Sequence, residues 1–496
     1  LEDFTDDGTA ISFDVSVTNT GPVAGKTPVE VYFTPPYLNG GIEKASVNLI
    51  DFQKTGLLEP GASETLSFTI PKEDLASYDA RGVKTANGGY VLEAGEYVIS
   101  VRADAHTVLD EATFTVEADL DYSAAGRAGD HTPAVNRFQD YSAGTVTYLS
   151  RADGFANYTA ATSAPDEAAY EMDGATLALI SEKSAAHYDP TLYDHPEDVM
   201  PVTGADNGLT LGALTGKDYD DPQWEPLLDQ LTVEDMVQMV NLGGFQTVAV
   251  KSVGKIATMD SDGTSGLNDW VVGVYGTPFP VEVLISQTWN PKLARETGSA
   301  IGAEYADCDI YGWYGPAMNM HRSAFCGRNF EYYAEDSVLA GMIASAEVNG
   351  AAEHGVYAYI KHFALNDQET NRCSFLLTYS DEQAMREIYL KPFELCVKNF
   401  TGTSLAVMSS FNFIGPVYAG ANDDLLSGVL RDEWGFRGMV LSDWDGSYGY
   451  QMTDNGVRNG NDCMLGFNSY PTNVITDTDA PTCVLALRRA SKNILD

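Results

Sequence analysis

The sequence predicts a β-sandwich at residues 1–118, an extended linker at 119–222 and an α/β barrel of the (β/α)8 type at 223–496. In the first unit, short segments alternate apolar and polar residues between turn clusters, which is typical of a sandwich. In the last unit, strand and helix patterns alternate over about 270 residues, which is the length and rhythm of such a barrel.

Five segments of the first unit have the period-two alternation of half-buried strands. They are residues 11–17, 29–33, 65–70, 96–102 and 112–116. The linker that follows is rich in Tyr, Asp, Ala, Gly, Pro and Thr and keeps neither period for long. Because structureless linkers of this length are unusual, we expect it to pack on the neighbouring domains through its tyrosines, with partial disorder as the alternative.

Five segments of the last unit have helical spacing, and six apolar segments between them are predicted strands. The predicted helices are residues 231–242, 290–305, 334–353, 380–397 and 424–434, and the predicted strands are 256–259, 310–315, 356–360, 405–409, 439–441 and 463–465. Pro291 suits a first helical position, where its missing N–H costs nothing. Residues 380–383, SDEQ, have the pattern of a capping box.

The composition excludes some classes of partner. With 29 basic and 71 acidic residues the formal charge is −42, and it is spread along the chain. This argues against binding to nucleic acid or anionic membranes and favours neutral or cationic partners. No apolar run approaches the roughly 20 residues of a membrane span. The first residues, LEDFTDDGTA, lack the basic and apolar regions of a signal peptide.

The six cysteines all lie in the second half of the chain, and no two have C-x-x-C spacing. They are Cys308, Cys326, Cys373, Cys396, Cys463 and Cys483. This spacing favours buried thiols of a reducing compartment over disulfides or a zinc site. We therefore predict a cytoplasmic location, no metal site and no cofactor.

One stretch, MVLSDWDG at residues 439–446, is the strongest candidate for chemistry. Its apolar residues are predicted to end a buried strand, and Asp443 follows at the carboxyl end. Strand ends of this kind carry the chemistry in parallel α/β folds, so Asp443 is a candidate nucleophile or general base. The alternative is an aspartate that caps the next turn.

Charged residues also follow the other predicted strands. Asp262 lies in MDSDGTSG, Arg328 in NMHRSAFCGRNFEYY, and Lys361 and His362 in IKHFALNDQETNR. Together they could face one small polar ligand from the rim of the barrel. Each also has a structural alternative, because Asp262 precedes a glycine in a turn pattern, Arg328 could pair with Glu331 or Glu335, and Lys361 and His362 could be solvated.

The ordered series SDG-x-x-G, GRNFEY, KHF-x-x-N-x-QE, VM-x-S-F-N and SDW resembles the barrel domain of glycoside hydrolase family 3, the β-glucosidase family. The resemblance covers roughly residues 240–470. The earlier segments LEPGASETLSF and LEAGEYVISV resemble that family's fibronectin type III-like domain. A sandwich before the barrel is similar to the reversed-domain members, in which a six-stranded α/β sandwich comes first.

The resemblance implies a role for each of these residues. Asp443 would be the nucleophile of a retaining double displacement. Trp444 would offer an aromatic wall to a sugar face. The residues that would hold hydroxyls of the terminal sugar in the −1 subsite are Asp262, Arg328, Lys361 and His362. Positive charge on Lys361, His362 and Arg328 would also favour the ionised form of Asp443.

The resemblance also implies a general acid from an α/β sandwich domain, and the sequence contains no such domain. Glu331 and Glu369 lie in the motifs, but we interpret both as structural. We therefore expect a second chain or a missing segment to carry the acid, or else a protein that binds sugars without cleaving them. Phe411 stands where many relatives have tyrosine, and Cys326 where they commonly have glycine.

The predicted function is a retaining exo-β-glycosidase, specifically a β-glucosidase acting on β-glucosides or oligosaccharides. The alternatives are a non-catalytic glycan-binding module and a β-xylosidase or arabinofuranosidase of the same family. The β-N-acetylglucosaminidase branch is set aside, because KHF is followed here by ALND and not by PGHG.

Overall fold

The computed structural model describes residues 1–142, 144, 146–164, 167, 171–446, 448–467 and 472–496. The amino-terminal strands are β1 Glu2–Asp6, β2 Ala10–Thr18, β3 Pro28–Thr34, β4 Asn48–Lys54, β5 Ser63–Pro71, β6 Ser77–Tyr78, β7 Tyr90–Leu92, β8 Gly95–Arg102, β9 Val108–Val116 and β10 Leu120–Asp121. They form antiparallel sheets in the orders β1-β2-β5, β4-β3-β8-β9 and β10-β7-β6.

All five predicted strands of this unit are confirmed, because they fall within β2, β3, β5, β8 and β9. Their apolar residues form one core between the two larger sheets, in which Phe13 and Phe68 stack with ring centroids 5.4 Å apart. The alternation did not reveal β4, because its residues are mostly half-buried and do not alternate strictly.

The later helices and strands alternate as predicted. The α-helices are α1 Ala152–Phe155, α2 Tyr158–Thr162, α3 Gly174–Glu182, α4 Trp224–Leu228, α5 Val233–Asn241, α6 Glu282–Ser286, α7 Pro291–Asp307, α8 Ser337–Ala352, α9 Glu382–Ala384, α10 Lys391–Lys398, α11 Thr453–Arg458 and α12 Pro481–Leu495. Two π-helical segments are Met385–Tyr389 and Asp424–Glu433. Short 3-10 turns are Lys72–Leu75, Pro190–Tyr193, Leu211–Leu214, Lys251–Val253, Asn329–Glu331 and Ala419–Ala421.

The strands of this part are β11 Gln246–Thr247, β12 Thr258–Asp262, β13 Asn268–Asp269, β14 Val274–Tyr275, β15 Ile310–Tyr314, β16 Tyr357–Phe363, β17 Leu377–Thr378, β18 Ala406–Ser409, β19 Phe413–Ile414, β20 Val417–Tyr418 and β21 Val440–Leu441. Six of them form one sheet in the order β11-β12-β15-β16-β18-β21. Within this sheet β12, β15, β16, β18 and β21 run parallel to one another, whereas β11 is antiparallel to β12.

This sheet curls back toward its first strand. Beyond β21, Leu441 forms a parallel bridge with Cys463. The next residue, Met464, donates its N–H to Val240 O at 2.8 Å and accepts from Gly243 N at 3.0 Å. The described residues thus show six strands and a bridging segment, and the eight-stranded barrel stays a prediction.

Helix ends follow the local sequence signals. Asn290 accepts the Leu293 N–H at 3.2 Å and is followed by Pro291 at the first turn of α7. At the predicted capping box, however, the N-cap is Asp381 and not Ser380, because the Asp381 carboxylate accepts the Ala384 N–H at 2.7 Å. No helix within the described ranges combines the length and apolar character that a membrane crossing requires.

The sandwich and the parallel sheet unit share packed surface. Phe52 of β4 meets Trp289 edge to face, with ring centroids 5.1 Å apart. Lys54 Nζ donates to Thr288 O at 2.9 Å, and the Tyr78 N–H donates to the Glu387 carboxylate at 2.6 Å. These contacts support the sheet unit from the side of α7 and α8.

Tyrosines of the predicted linker contact the later part of the chain. Tyr188 donates its hydroxyl to Asp454 at 2.8 Å, and Tyr219 donates to Asn493 at 2.6 Å. Arginines contribute as well, and Arg137 Nε donates to Glu433 at 2.7 Å.

A buried charge cluster joins three parts of the chain. The Arg386 guanidinium donates to Glu382, to Glu433 and to the backbone oxygen of Val135, and all three charged side chains are buried. The same guanidinium lies 5.3 Å from the ring centroid of Tyr78 in the sandwich. Arg386 therefore ties the linker and the sandwich to two helical segments of the sheet unit.

The Arg386→Met substitution should destabilise the protein by about 3–5 kcal/mol, because two glutamates would lose the cation that compensates their burial. Urea denaturation at pH 7 measures this. The control is Lys292→Met, whose side chain is 86% exposed, and it should stay within about 0.5 kcal/mol of the wild type. Equal denaturation midpoints for both variants would contradict the structural role of Arg386.

Candidate active site

The carboxyl ends of three parallel strands gather the predicted site residues. Asp262 is the last residue of β12. Lys361 and His362 lie near the carboxyl end of β16, and Asp443 comes two residues after β21. Because these strands run in the same direction, their ends meet at one edge of the sheet.

Asp443 is buried at this edge. Its Oδ1 accepts the Trp444 N–H at 2.7 Å, which fixes the orientation of the carboxylate. Its Oδ2 is buried and has no hydrogen-bond partner within the described residues. A buried, unpartnered carboxylate oxygen is costly in a folded protein, so a functional explanation is expected. The turn-capping alternative accounts for Oδ1 but leaves Oδ2 unexplained.

His362 presents a lone pair toward Asp443. The Asn319 side chain donates Nδ2–H to His362 O at 2.8 Å, so its Oδ1 accepts from the His362 N–H at 2.8 Å and from Nδ1 at 3.2 Å. The proton of the neutral ring is therefore on Nδ1, and Nε2 is an acceptor 3.8 Å from Asp443 Oδ2. A substrate hydroxyl between the two atoms could donate to either.

Asp262 lies at the mouth of the site, with its side chain 55% exposed and its carboxylate 3.2 Å from Lys361 Nζ. The carboxylate also accepts the Gly263 N–H at 2.9 Å. Gly263 has φ +127°, and a Cβ there would lie 1.9 Å from Gly266 O, so only glycine fits. The turn interpretation of this motif is thus correct, and the turn also delivers the Asp262 carboxylate to Lys361.

Lys361 and His362 are both buried, so the alternative of a solvated surface pair is wrong. Arg328 forms an ion pair with Glu331, as one structural alternative proposed. Glu331 also accepts from the Thr264 hydroxyl at 2.8 Å. This ion pair fixes the guanidinium, and Arg328 is the cation that most strongly lowers the pKa of Asp443.

Trp444 follows Asp443 and is half-buried between two phenylalanines. Its ring centroid is 6.2 Å from that of Phe245 and 5.6 Å from that of Phe467, which it meets at 73°. The indole is therefore held in one orientation beside the nucleophile candidate.

Sequence reasoning missed Arg372. Its Nε lies 3.0 Å from Glu369 Oε2 in an ion pair, its guanidinium lies 4.6 Å from the ring centroid of Phe411, and its Nη1 is buried without a partner among the described residues. After Arg328, it is the cation that most lowers the pKa of Asp443. A signal was present, since Arg372 ends the segment IKHFALNDQETNR, but nothing local showed which way it would face.

Burial dominates the electrostatics of Asp443. It raises the pKa of that carboxyl above its ordinary value, while Arg328 and Arg372 act in the opposite direction. Burial also lowers the pKa of His362 well below its ordinary value, and the neighbouring cations Arg328 and Lys361 lower it further. The expectation that charged His362 helps to ionise Asp443 is therefore wrong, because the imidazole is neutral.

The two departures from the family pattern lie near this site. Phe411 meets Tyr448 edge to face, with ring centroids 5.6 Å apart, so the ring has an aromatic contact and a cation contact in place of a hydroxyl. Nothing in the structure explains Cys326. Within the described ranges, no group of three or more His, Cys, Asp or Glu side chains is arranged to hold a metal ion.

Two family models match the chain. The model described as glycosyl hydrolase family 3 N terminal domain matches residues 227–458, and the fibronectin type III-like domain matches residues 27–105. Beta-glucosidase A of Butyrivibrio fibrisolvens is 32% identical over 462 residues, which are 92% of this chain and 53% of that protein. A beta-glucosidase of Ruminococcus albus is 32% identical over 447 residues, 89% of this chain and 44% of that protein.

A solved structure is also similar. The beta-glucosidase of Paenibacillus barengoltzii superposes with a TM-score of 0.72 at 25% sequence identity, over 99% of this chain and 54% of that chain. Because the superposition covers nearly the whole chain, that protein has counterparts of both structured units. This chain spans about half the length of these relatives.

The Asp443→Asn substitution should raise the melting temperature at pH 7. The folded-state pKa of Asp443 lies above its ordinary value of 3.8. The protonated carboxyl therefore contributes stability below pH 3.8, and this stability is lost as the pH rises through the folded-state pKa. Removing the charge should therefore raise the melting temperature at pH 7. The difference should shrink toward pH 4.

Asp262→Asn is the matched control, because the expected sign is opposite. Burial raises the pKa of Asp262, but Lys361 and the Gly263 N–H outweigh it and hold this pKa below its ordinary value. That carboxylate therefore contributes stability at pH 7, and its loss should lower the melting temperature. Shifts of the same sign in both variants would contradict the assigned electrostatics.

Proposed function

We propose that this chain, whose residues 227–458 match the glycosyl hydrolase family 3 N terminal domain, forms the nucleophile-bearing part of a retaining exo-β-glycosidase. The observation that carries the proposal is Asp443, whose buried Oδ2 lacks a partner within the described residues and lies 3.8 Å from His362 Nε2. Arg328 and Arg372 lower the pKa of this carboxyl and so favour its ionised form. The names of the similar proteins support a β-glucosidase that removes terminal non-reducing β-glucosyl residues.

The proposed reaction is a double displacement. Ionised Asp443 attacks the anomeric carbon through Oδ2, the bond to the leaving oxygen breaks, and a general acid gives that oxygen a proton. The conjugate base then takes a proton from water, whose oxygen displaces the carboxylate. Two inversions at one carbon release the sugar with its β configuration retained.

The remaining side chains suit a ligand rich in hydroxyls. Asp262 and His362 Nε2 accept hydrogen bonds, whereas Lys361, Arg328 and Arg372 Nη1 donate them. Such charge-assisted hydrogen bonds orient a sugar ring in a partly dehydrated pocket. We therefore propose that they form the −1 subsite, with the Trp444 indole as its aromatic wall. Arg372 is an addition that the geometry supports.

We also propose that the general acid lies on another segment or a second chain. Neither motif glutamate is suited to the role, because Glu331 is paired with Arg328 and Glu369 with Arg372. The greater length of the relatives is consistent with a further domain. We also propose that the domain boundaries lie at residues 118 and 222. The curled sheet supports a closed (β/α)8 barrel, which is part of the same proposal.

The rival function is a glycan-binding module without activity. A module that only binds glycans does not need a buried carboxylate close to arginines, because burying that charge costs stability. The presence of Asp443 therefore favours the interpretation as an enzyme. A β-xylosidase or arabinofuranosidase would use the same chemistry on a sugar with a different hydroxyl pattern. Rates on matched aryl glucosides, xylosides and arabinosides distinguish these substrates.

Asp443→Ala should lower hydrolysis of an aryl β-glucoside by about 10⁴-fold or more, since the carboxylate acts in the bond-making step. With dinitrophenyl β-glucoside, whose leaving group departs without an acid, azide should restore turnover. Azide attacks from the face that Asp443 occupied, so the product should be the α-glucosyl azide, identified by NMR. Wild-type turnover in the variant, or a β-azide product, would refute the assignment.

The location of the acid has its own measurement. An intact-mass spectrum of active native material under denaturing conditions should show a second polypeptide or a chain longer than these 496 residues. A single polypeptide of 53.6 kDa that hydrolyses alkyl β-glucosides at full rate would contradict the proposal, because the acid would then lie within this chain.

A further inference from the structure

Exposed aromatic side chains are concentrated at the edge of the sheet that carries the candidate site. Among the described residues from 223 onward, the exposed aromatic side chains in the segments that follow strand ends are Trp270, Tyr275, Phe325, Phe330 and Phe467. Trp270 is 82% exposed and Tyr275 is 65% exposed, although tryptophan is on average a strongly buried residue. A cluster of this kind at a polar pocket usually marks a binding surface.

Trp270 belongs to a hairpin that is tied directly to Asp262. In this hairpin β13 pairs with β14, and Trp270 follows the last residue of β13. The buried Asp269 carboxylate accepts the Asp262 N–H at 3.0 Å and the Ser261 hydroxyl at 2.9 Å through Oδ2. One carboxylate oxygen thus joins the hairpin to the backbone of the sugar-binding candidate.

The other oxygen of Asp269 holds the turn that contains Trp270. Oδ1 accepts the Val271 N–H at 2.7 Å and the Val272 N–H at 3.0 Å. Asp269 therefore makes four hydrogen bonds, two to the end of β12 and two to the hairpin turn, and it is 1% exposed. Trp270 is the next residue in the chain after Asp269, and consecutive Cα atoms are only about 3.8 Å apart. The hydrogen bonds of Asp269 therefore fix the backbone of Trp270 relative to Asp262.

The exposure of these residues gives the direction of the substrate. Lys361, His362 and Asp443 are buried, whereas Asp262 is half-exposed and lies at the mouth. In an exo-acting enzyme the terminal sugar enters the buried end, so the leaving part of the substrate must extend past the mouth. Trp270 is exposed at the same end of the sheet as Asp262, because Asp269 binds both the Asp262 N–H and the turn that contains Trp270.

Resting on the function proposed above, we infer that Trp270 is an aromatic platform for the leaving-group sugar of β-linked gluco-oligosaccharides. The apolar C–H face of a pyranose can pack on the indole, which is rigid and already exposed, so little ordering is required. Asp269 is the positioning residue that holds the platform at a constant distance from the −1 subsite.

The test compares two substrates that differ only in what reaches the platform. Cellobiose carries a second glucose, whereas methyl β-glucoside has a leaving group too small to contact Trp270. In the full-length protein, Trp270→Ala should lower kcat/KM for cellobiose about 10-fold, chiefly through KM, since the lost aromatic face contacts only the second glucose. Methyl β-glucoside hydrolysis should change less than about twofold.

Two control variants sharpen the comparison. Trp270→Phe should recover much of the cellobiose activity, because it keeps an aromatic face. Tyr311→Ala removes an exposed aromatic side chain near the start of β15, away from the strand ends, and should leave both substrates unchanged. The site residues are intact in all three variants.

The outcomes separate the platform from the function on which it rests. If the wild type hydrolyses both substrates and Trp270→Ala affects them equally or not at all, the platform is refuted while the glucosidase stands. If the wild type hydrolyses neither substrate, both proposals are refuted. A selective loss on cellobiose that Trp270→Phe restores supports the platform.

Discussion

The register of the parallel strands places the charged residues of the site at one edge of the sheet. The parallel register pairs Ser261 with Trp313 and Trp313 with Ala358, and it continues from Ile360 through Val407 to Val440. The carboxyl ends of β12, β16 and β21 therefore lie along the same edge of the sheet, although they are staggered. A slip of one residue would turn the side chains of a strand to its other face. The sandwich, the linker and the buried Arg386 cluster then support the helices that cover this sheet.

Burial gives these residues their chemical character. The chain has a formal charge of −42, yet the edge of the sheet gathers Arg328, Lys361 and Arg372 around one buried aspartate. Dehydration strengthens each interaction and also raises the pKa of the carboxylate, so the cations are needed to oppose that change. The hydrogen bonds between Asn319 and His362 also determine the chemistry of the site, because they set which imidazole nitrogen can face a ligand.

Local patterns predicted the element types well, because period-two and helical spacing arise within a few residues of chain. They failed where neighbours decide the outcome. The N-cap of α9 is Asp381 and not Ser380, and the next residue, Glu382, accepts from Arg386 and from the linker backbone. Strand β4 was missed because all of its polar side chains are partly covered by the rest of the fold.

The sequence alone determined the alternation of strands and helices, the order of the strand-end residues, and the family that the motifs resemble. Only the tertiary structure decided that His362 is neutral, that Asp443 Oδ2 is buried without a partner within the described residues, that Arg372 lowers the pKa of Asp443, and that Asp269 binds the Asp262 N–H. The reason is physical. Dehydration and ion pairing depend on distances between residues far apart in the chain, and no local pattern contains those distances.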